Sequence, residues 1–119
     1  MNELNNLAKQ AYNSACKRGI FDKELSINDL LMAIVEEIAE VRKSKFLNDT
    51  NLAAGVSNII NAKKFDQLFT IHFESQIKDT TEAEFADILI AALAIMAHLK
   101  IDVDLFVELG LRYNSLRSK

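Results

Sequence analysis

The sequence predicts an all-α fold, and three observations support this prediction. Proline is absent from the 119 residues and glycine occurs three times, so the residues that usually interrupt helices are scarce. Apolar residues recur at helical spacing in several long segments. Hydrophobic residues make up 50% of the chain and charged residues 26%, a balance typical of globular proteins. We therefore expect a single domain over residues 1–119, built from four or five helices.

Helix start and stop signals place the elements of the first half. The first predicted helix covers about residues 2–18 and ends at Gly19. After a short connector, Ser26 is the expected N-cap of a second helix, and Asp29 stands where a carboxylate favours its positive N-terminal end. A turn is predicted at residues 48–51. One apolar stripe runs along the second helix: Ile27, Leu31, Ile34, Val35 and Ile38.

The second half contains two clear helices and one less regular segment. One or two shorter helices are predicted between Leu52 and Ile77. Thr80 or Thr81 is the expected N-cap of a third long helix that reaches about Lys100. Asp102 is the expected cap of the last helix, which ends near the basic tail.

Charge and composition exclude several partners. A net charge of −3 provides no long-range attraction to nucleic acid or to an anionic membrane. Cys16 is the single cysteine, so we expect no intrachain disulfide and a reducing, cytoplasmic compartment. The N-terminal segment lacks the pattern of a secretory signal. The most apolar run, Phe85–Leu99, is interrupted by Asp87 and His98 and is too short to span a bilayer.

Acidic residues crowd one turn of the second predicted helix. Glu37 and Glu40 are separated by about 60° around the helix axis, and Glu36 and Glu40 by about 40°. Like charges at this spacing repel each other by a few tenths of a kcal/mol even in water. Taken alone, such a run is most often a solvated acidic face.

A second acidic pair, Glu84 and Asp87, lies on the third long helix. Thr81 and Glu84 match a capping box, in which Glu84 would only bond back to the N-cap backbone. Capping does not account for Asp87, which lies in a segment apolar on nearly every face and which we expect to be buried. An ionised carboxylate in such a place needs an ion pair or a metal. No Lys or Arg lies within a turn of it, and clustered carboxylates favour Mg²⁺ or Mn²⁺ over Zn²⁺.

The order of these motifs resembles a known family. Glu36-Glu37-x-x-Glu40 followed by Glu84-x-x-Asp87 is similar to the motif pair of the all-α NTP pyrophosphatases, which include MazG-like proteins, dCTP pyrophosphatases and dimeric dUTPases. Further likeness lies in AKQAYNSACKRGIFDK, QIKDTTEAEFADILI and HLKIDVDLFVEL-x-LRYNSLR. The resemblance implies a four-to-five-helix MazG-like bundle, completed by oligomerisation. Its implied activity is Mg²⁺-dependent hydrolysis of a (deoxy)nucleoside triphosphate to the monophosphate and pyrophosphate, in nucleotide-pool house-cleaning.

The resemblance also implies roles for the acidic residues. The Mg²⁺ ligands would be Glu37, Glu40, Glu84 and Asp87. The catalytic residues would be Glu36 and Glu37, with Glu36 as an additional ligand or as the group that orients the attacking water.

Substrate contacts follow from the same resemblance. The phosphate-binding residues of the terminal motif would be Asn114 and Arg117. Gly110 stands where family members usually carry Lys, so a cation is lost there. Arg112, Lys78 or a residue of a partner chain would have to replace it. Phe21 lies where the family has an aromatic residue near the base, although a plain core anchor is an equally good interpretation. The lysines interpreted as solvated are Lys43, Lys45, Lys63 and Lys64.

Other functions compete with this hypothesis. A di-iron or di-manganese carboxylate site needs Glu three positions before a His ligand. Here Phe69 stands three positions before His72, and Ile95 three positions before His98. A DNA-binding helical domain is disfavoured by the net acidity. The remaining alternative is a catalytically weakened MazG-like helical binding or interaction protein.

Assembly is predicted from the apolar third long helix. Three neighbouring helices cover only part of such a surface, so we expect a homo-oligomer, a dimer in preference to a tetramer.

Overall fold

The structure is a computed structural model that describes residues 2–47 and 65–117. Over these residues the fold is all-α, as predicted, with no strand and one isolated parallel bridge. The predicted turn at residues 48–51 and any helix within residues 52–64 lie outside the described residues. None of the described helices has the length and apolarity that a membrane-crossing segment needs. The residues that the structure describes form five helices: α1 (Glu3–Lys17), α2 (Ile27–Lys43), α3 (Asp66–Gln76), α4 (Thr81–His98) and α5 (Val103–Leu116).

The predicted helix starts are confirmed by their caps. Ser26 Oγ accepts a hydrogen bond from the Asp29 backbone N–H at 3.1 Å, and the Ser26 N–H donates to Asp29 Oδ2 at 2.9 Å. These bonds from Ser26 lower the pKa of Asp29. Thr80 is the cap of α4, because its Oγ1 accepts from the Ala83 N–H at 3.2 Å. Asp102 caps α5.

Gly19 has a positive φ of 78°, which suits the chain reversal that follows α1.

The described residues divide into two compact units. The first comprises Met1–Ile34 and Leu89–Lys119, and the second comprises Val35–Ile88. In the first unit, α1 packs against α5. The residues of its core cluster are small or apolar: Ala8, Leu93 and Val103, with Leu4, Ala11, Met96 and Ala97 packed around them.

The first turns of α1 and α5 satisfy each other's free backbone N–H groups. The Asp104 carboxylate accepts hydrogen bonds from the Leu4 N–H at 3.1 Å and the Asn5 N–H at 3.0 Å. In return, Asn5 Oδ1 accepts from the Val103 N–H at 2.7 Å, and Asn5 Nδ2 donates to Asp102 at 2.9 Å. The first N–H groups of a helix have no partner inside the helix, so this exchange fixes the two helix ends against each other.

The apolar stripe of α2 is largely exposed in the single chain. Ile34 is partly buried, and the other four members are about half exposed: Ile27 58%, Leu31 54%, Val35 49% and Ile38 48%. On α4, Phe85 and Leu89 are exposed as well. Two helices therefore present apolar residues that the single chain does not cover.

Candidate metal centre

The second unit contains both acidic motifs and fastens the end of α2 to the start of α4. The Lys45 carbonyl accepts a hydrogen bond from the Thr81 N–H at 2.9 Å. Ser44 Oγ donates to the Val41 carbonyl at 2.6 Å and lies 2.8 Å from Thr81 Oγ1. Because the single Ser44 hydroxyl proton is used for Val41, the Thr81 hydroxyl is the donor between these two side chains.

A third link lies just outside the helices. The Leu47 N–H donates to both carboxylate oxygens of Glu82, at 3.0 and 3.2 Å. The segment that follows α2 is therefore held to the first turn of α4 through backbone and side-chain bonds. This fixes the register in which the α2 and α4 carboxylates face each other.

Three carboxylates converge where α2 and α4 meet within this unit. Each of Glu37, Glu84 and Asp87 offers a carboxylate oxygen, and these oxygens lie within 4.8 Å of one another. Glu84 is buried with 7% of its surface exposed, Glu37 is half-buried and Asp87 is exposed. The cluster is therefore buried at Glu84 and open to solvent at Asp87.

The electrostatics of Glu84 reflect this crowding. Burial raises the pKa of the Glu84 carboxyl, and the negative charges of Asp87, Glu37, Glu40 and Asp79 raise it further. Each of these causes disfavours the ionised form. A divalent cation among the same oxygens would reverse the balance, because it neutralises the charges that burial and repulsion penalise.

The donor set fits a hard divalent cation. Carboxylate oxygens are the ligands that Mg²⁺, Mn²⁺ and Ca²⁺ prefer. Opposite ligands of Mg²⁺ stand about 4.2 Å apart, twice its usual bond length, and the carboxylate oxygens already lie within 4.8 Å. The three carboxylates therefore lie close enough together to share one such ion.

The prediction that Asp87 is buried is wrong for the single chain. Asp87 is exposed, and Glu84 is the buried member of the pair. The apolar residues around Asp87 on α4, including Phe85 and Leu89, are themselves exposed, so an apolar segment does not imply burial here.

The capping-box interpretation of Glu84 also fails. With Thr80 as the cap, Ala83 occupies the position from which a box residue bonds back. Glu84 contributes its backbone N–H to the Thr80 carbonyl at 3.0 Å. Its side chain is thus left to the acidic cluster.

Two further acidic residues, Glu40 and Glu36, were predicted to belong to the site. Glu40 is exposed and lies outside the group of three, although its charge acts on Glu84. Glu36 is exposed on α2. Their roles as ligand and as water-orienting group stay predictions.

The predicted phosphate-binding residues occupy different parts of the chain. Lys78 is exposed in the turn before α4, in the same unit as the acidic cluster. Arg112, Asn114 and Arg117 are exposed and belong to the first unit. The Arg117 guanidinium lies over the Tyr113 ring, 5.4 Å from its centroid. Phosphate binding by these side chains stays a prediction.

Phe21 packs against other rings of the first unit. Its ring stacks on His98 with 4.4 Å between centroids, and Tyr12 lies 5.1 Å away. This supports the core-anchor interpretation of Phe21 and the helix-end interpretation of His98, which is the last residue of α4.

Sequence reasoning missed one feature of the second unit. A cleft of about 280 Å³ is lined by Phe46 and Gln76 among others, together with Lys45, which the sequence suggested was merely solvated. The available signal was weak: a basic-aromatic pair, Lys45-Phe46, directly after a helix. Gln76 lies beside this pair only because the chain returns to it at the end of α3.

Comparison with protein-family models, with curated proteins and with solved structures found no match to this chain.

Proposed function

We propose that this chain is a divalent-cation-dependent nucleoside triphosphate pyrophosphohydrolase of the MazG-like kind. The observation that carries the proposal is the convergence of Glu37, Glu84 and Asp87, from two helices, around a buried carboxylate. The order of the acidic motifs along the chain supports the same assignment. The substrate would be a (deoxy)nucleoside triphosphate, and the products the monophosphate and pyrophosphate.

A solvated acidic face accounts poorly for Glu84. Surface carboxylates spread apart because each gains hydration and loses repulsion, whereas Glu84 is buried near four negative charges. A residue kept only for packing would be better served by an uncharged side chain of similar size. A carboxylate at this buried position therefore favours a ligand role.

The residues divide the work as follows. Glu37, Glu84 and Asp87 would hold Mg²⁺ or Mn²⁺, with Glu40 beside them, and the bound ion supplies charge neutralisation at the phosphate oxygens. Burial of Glu84 keeps the floor of the site fixed. Asp87 is exposed and would face a phosphate chain that approaches from solvent. Glu36 would orient water, as the resemblance implies.

The test is pyrophosphate release from a panel of ribo- and deoxyribonucleoside triphosphates, with Mg²⁺ and with EDTA. The variants are Glu84→Gln and Asp87→Asn, with Glu108→Gln as the matched control, since Glu108 is an exposed carboxylate on α5. We expect Mg²⁺-dependent release by wild type and Glu108→Gln, and a loss of at least about 10- to 100-fold in the other two, as for removal of a ligand or its support. Equal turnover by Glu84→Gln and wild type would contradict the proposal.

Assembly is part of the proposal. The half-exposed stripe of α2 and the exposed residues of α4 are apolar surfaces that a second copy of the chain would cover. A homodimer is the simplest closed arrangement in which the same patch is buried on both chains.

One observation favours the second candidate, a catalytically weakened binding protein. Gly110 lies in α5 with no atom within 4 Å of where a side chain would begin, so nothing in the packing requires glycine there. Loss of the cation implied at this position would weaken triphosphate binding. Wild-type chain that binds triphosphate with Mg²⁺ but releases no pyrophosphate would favour this candidate.

A further inference from the structure

The cleft missed by sequence reasoning lies beside the acidic cluster, wholly within the second unit. It has a volume of about 280 Å³ and lies between Lys45–Leu47 and Glu74–Thr80. The bridge between Lys45 and Thr80 joins these two segments. Glu84 follows Thr80 by one helical turn, about 6 Å along α4. A molecule in the cleft would therefore lie one turn from the proposed metal ligands.

The formal charges of the side chains that line the cleft cancel. Lys45 and Lys78 are cationic, and Glu74 and Asp79 are anionic. Such a lining does not concentrate anions by charge alone, so a bare phosphate gains little there. Selection in the cleft must come from shape and from hydrogen bonding.

Two side chains of the lining suit a planar, hydrogen-bonding ring. Phe46 is 79% exposed, the highest fraction among the large hydrophobic residues in the described part of the chain, and its ring is open to stacking. Exposed aromatic rings are the usual platforms on which nucleobases stack. Gln76 is half-buried, and its Oε1 is buried without a hydrogen-bond partner among the described residues. A rotation of the Gln76 side-chain amide that brings Oε1 to the surface of the cleft would let an N–H donor of a ligand satisfy that acceptor.

We propose that this cleft is the base-binding site of the enzyme: a nucleobase stacks on Phe46 and donates an N–H to Gln76. The inference rests on the proposed function and names the part of the substrate that the second unit recognises. The volume lies just below the range of about 300–1,000 Å³ for drug-sized ligands, which suits one nucleoside. Lys78, predicted from sequence as a phosphate contact, stands at the same cleft and would flank the sugar-phosphate side.

The experiment measures binding without catalysis. Adenosine, guanosine, cytidine and thymidine are titrated in EDTA against the full chain, by ligand-observed NMR. The variants are Phe46→Ala, Phe46→Tyr and Gln76→Leu, and Phe106→Ala is the control, an exposed phenylalanine on α5. We expect Phe46→Ala to weaken binding about tenfold, Phe46→Tyr and Phe106→Ala to bind as wild type does, and Gln76→Leu to reduce the preference for one base.

The outcomes separate this proposal from the hydrolase proposal. Nucleoside binding that depends on Phe46 supports the cleft even if no triphosphate is hydrolysed. If hydrolysis occurs with a KM that is unchanged in Phe46→Ala and Gln76→Leu, the hydrolase proposal stands and the assignment of the cleft as the base-binding site is overturned. Absence of nucleoside binding at millimolar concentration, or equal loss in Phe46→Ala and Phe106→Ala, also overturns it. Binding of single-stranded decathymidylate without binding of thymidine would assign the cleft to nucleic acid and overturn it as well. Phe46 is largely exposed, so its loss is not expected to unfold the chain, and the melting temperature of each variant checks this.

Discussion

Neutralising Glu84 should stabilise the protein without a divalent cation and make it insensitive to that cation. The perturbation is Glu84→Gln, which keeps the size of the side chain and removes its charge. Glu84 is buried beside Glu37 and Asp87, with carboxylate oxygens within 4.8 Å. At that distance two unit charges repel by about 0.9 kcal/mol even at the dielectric constant of water. Two neighbours give about 2 kcal/mol, which screening by salt reduces to about 1 kcal/mol.

The pH dependence has a definite sign. Burial and the nearby carboxylates raise the pKa of Glu84 above its ordinary value of 4.5, so the folded chain holds this proton to a higher pH than the unfolded chain does. Stability from this group is fully present below pH 4.5 and falls as pH rises from 4.5 through the raised pKa. Once the pH exceeds the raised pKa, the wild type carries the full penalty, whereas Glu84→Gln carries none at any pH.

The assay is thermal unfolding at pH 7 with EDTA and with Mg²⁺. In EDTA, Glu84→Gln should melt about 3–6 °C above wild type, as about 1 kcal/mol implies for a chain of this size. Mg²⁺ at 100 times its dissociation constant should stabilise wild type by about 2.7 kcal/mol and the variant by much less, so wild type should then melt above the variant. A variant that melts below wild type in EDTA, or gains as much from Mg²⁺, would refute the reasoning.

Three further predictions concern the fold and the assembly. Asp104→Ala should lower the free energy of unfolding by about 2–3 kcal/mol in urea titrations, because two backbone N–H groups of α1 lose a charged acceptor. The control Glu108→Ala should change it by less than about 0.5 kcal/mol. Equal effects of the two substitutions would contradict the capping of α1 by Asp104. Gly110→Lys should raise the melting temperature, since helix propensity improves by about 1 kcal/mol and the site is open. It should also lower the KM for triphosphate, because it restores a cation at this position. An unchanged KM would contradict a role for this position in phosphate binding. Sedimentation equilibrium should give twice the chain mass of 13.4 kDa, and Leu31→Asp on the α2 stripe should reduce it; a fully active wild-type monomer would contradict the dimer.

Local signals determined most of what the sequence predicted correctly. Ser26 and Asp102 begin helices through bonds to residues three positions away, so short segments are enough to place them. Thr80 and Thr81 could not be separated in this way, because both are good caps, and the choice depends on Lys45 and Ser44, which bind the Thr81 backbone and hydroxyl.

Burial and non-local geometry were harder to predict. The apolar surroundings of Asp87 along α4 are a property of one helix, whereas exposure depends on which faces other helices cover. The cleft joins Phe46 to Gln76 across about 30 positions of the chain, and no helical period connects them. The convergence of Glu37 with Glu84 was predicted through the family resemblance, and the pattern of one helix alone would not have predicted it.

Binding of Mn²⁺, followed by the loss of its free electron paramagnetic resonance signal, tests the central claim most directly. The titration compares wild type, Glu84→Gln, Asp87→Asn and the control Glu108→Gln at pH 7, with Mg²⁺ as competitor. We predict saturable binding by wild type and Glu108→Gln that Mg²⁺ displaces, and at least about tenfold weaker binding by the two cluster variants. Equal Mn²⁺ affinity in all four proteins would contradict the assignment of Glu37, Glu84 and Asp87 as a metal centre.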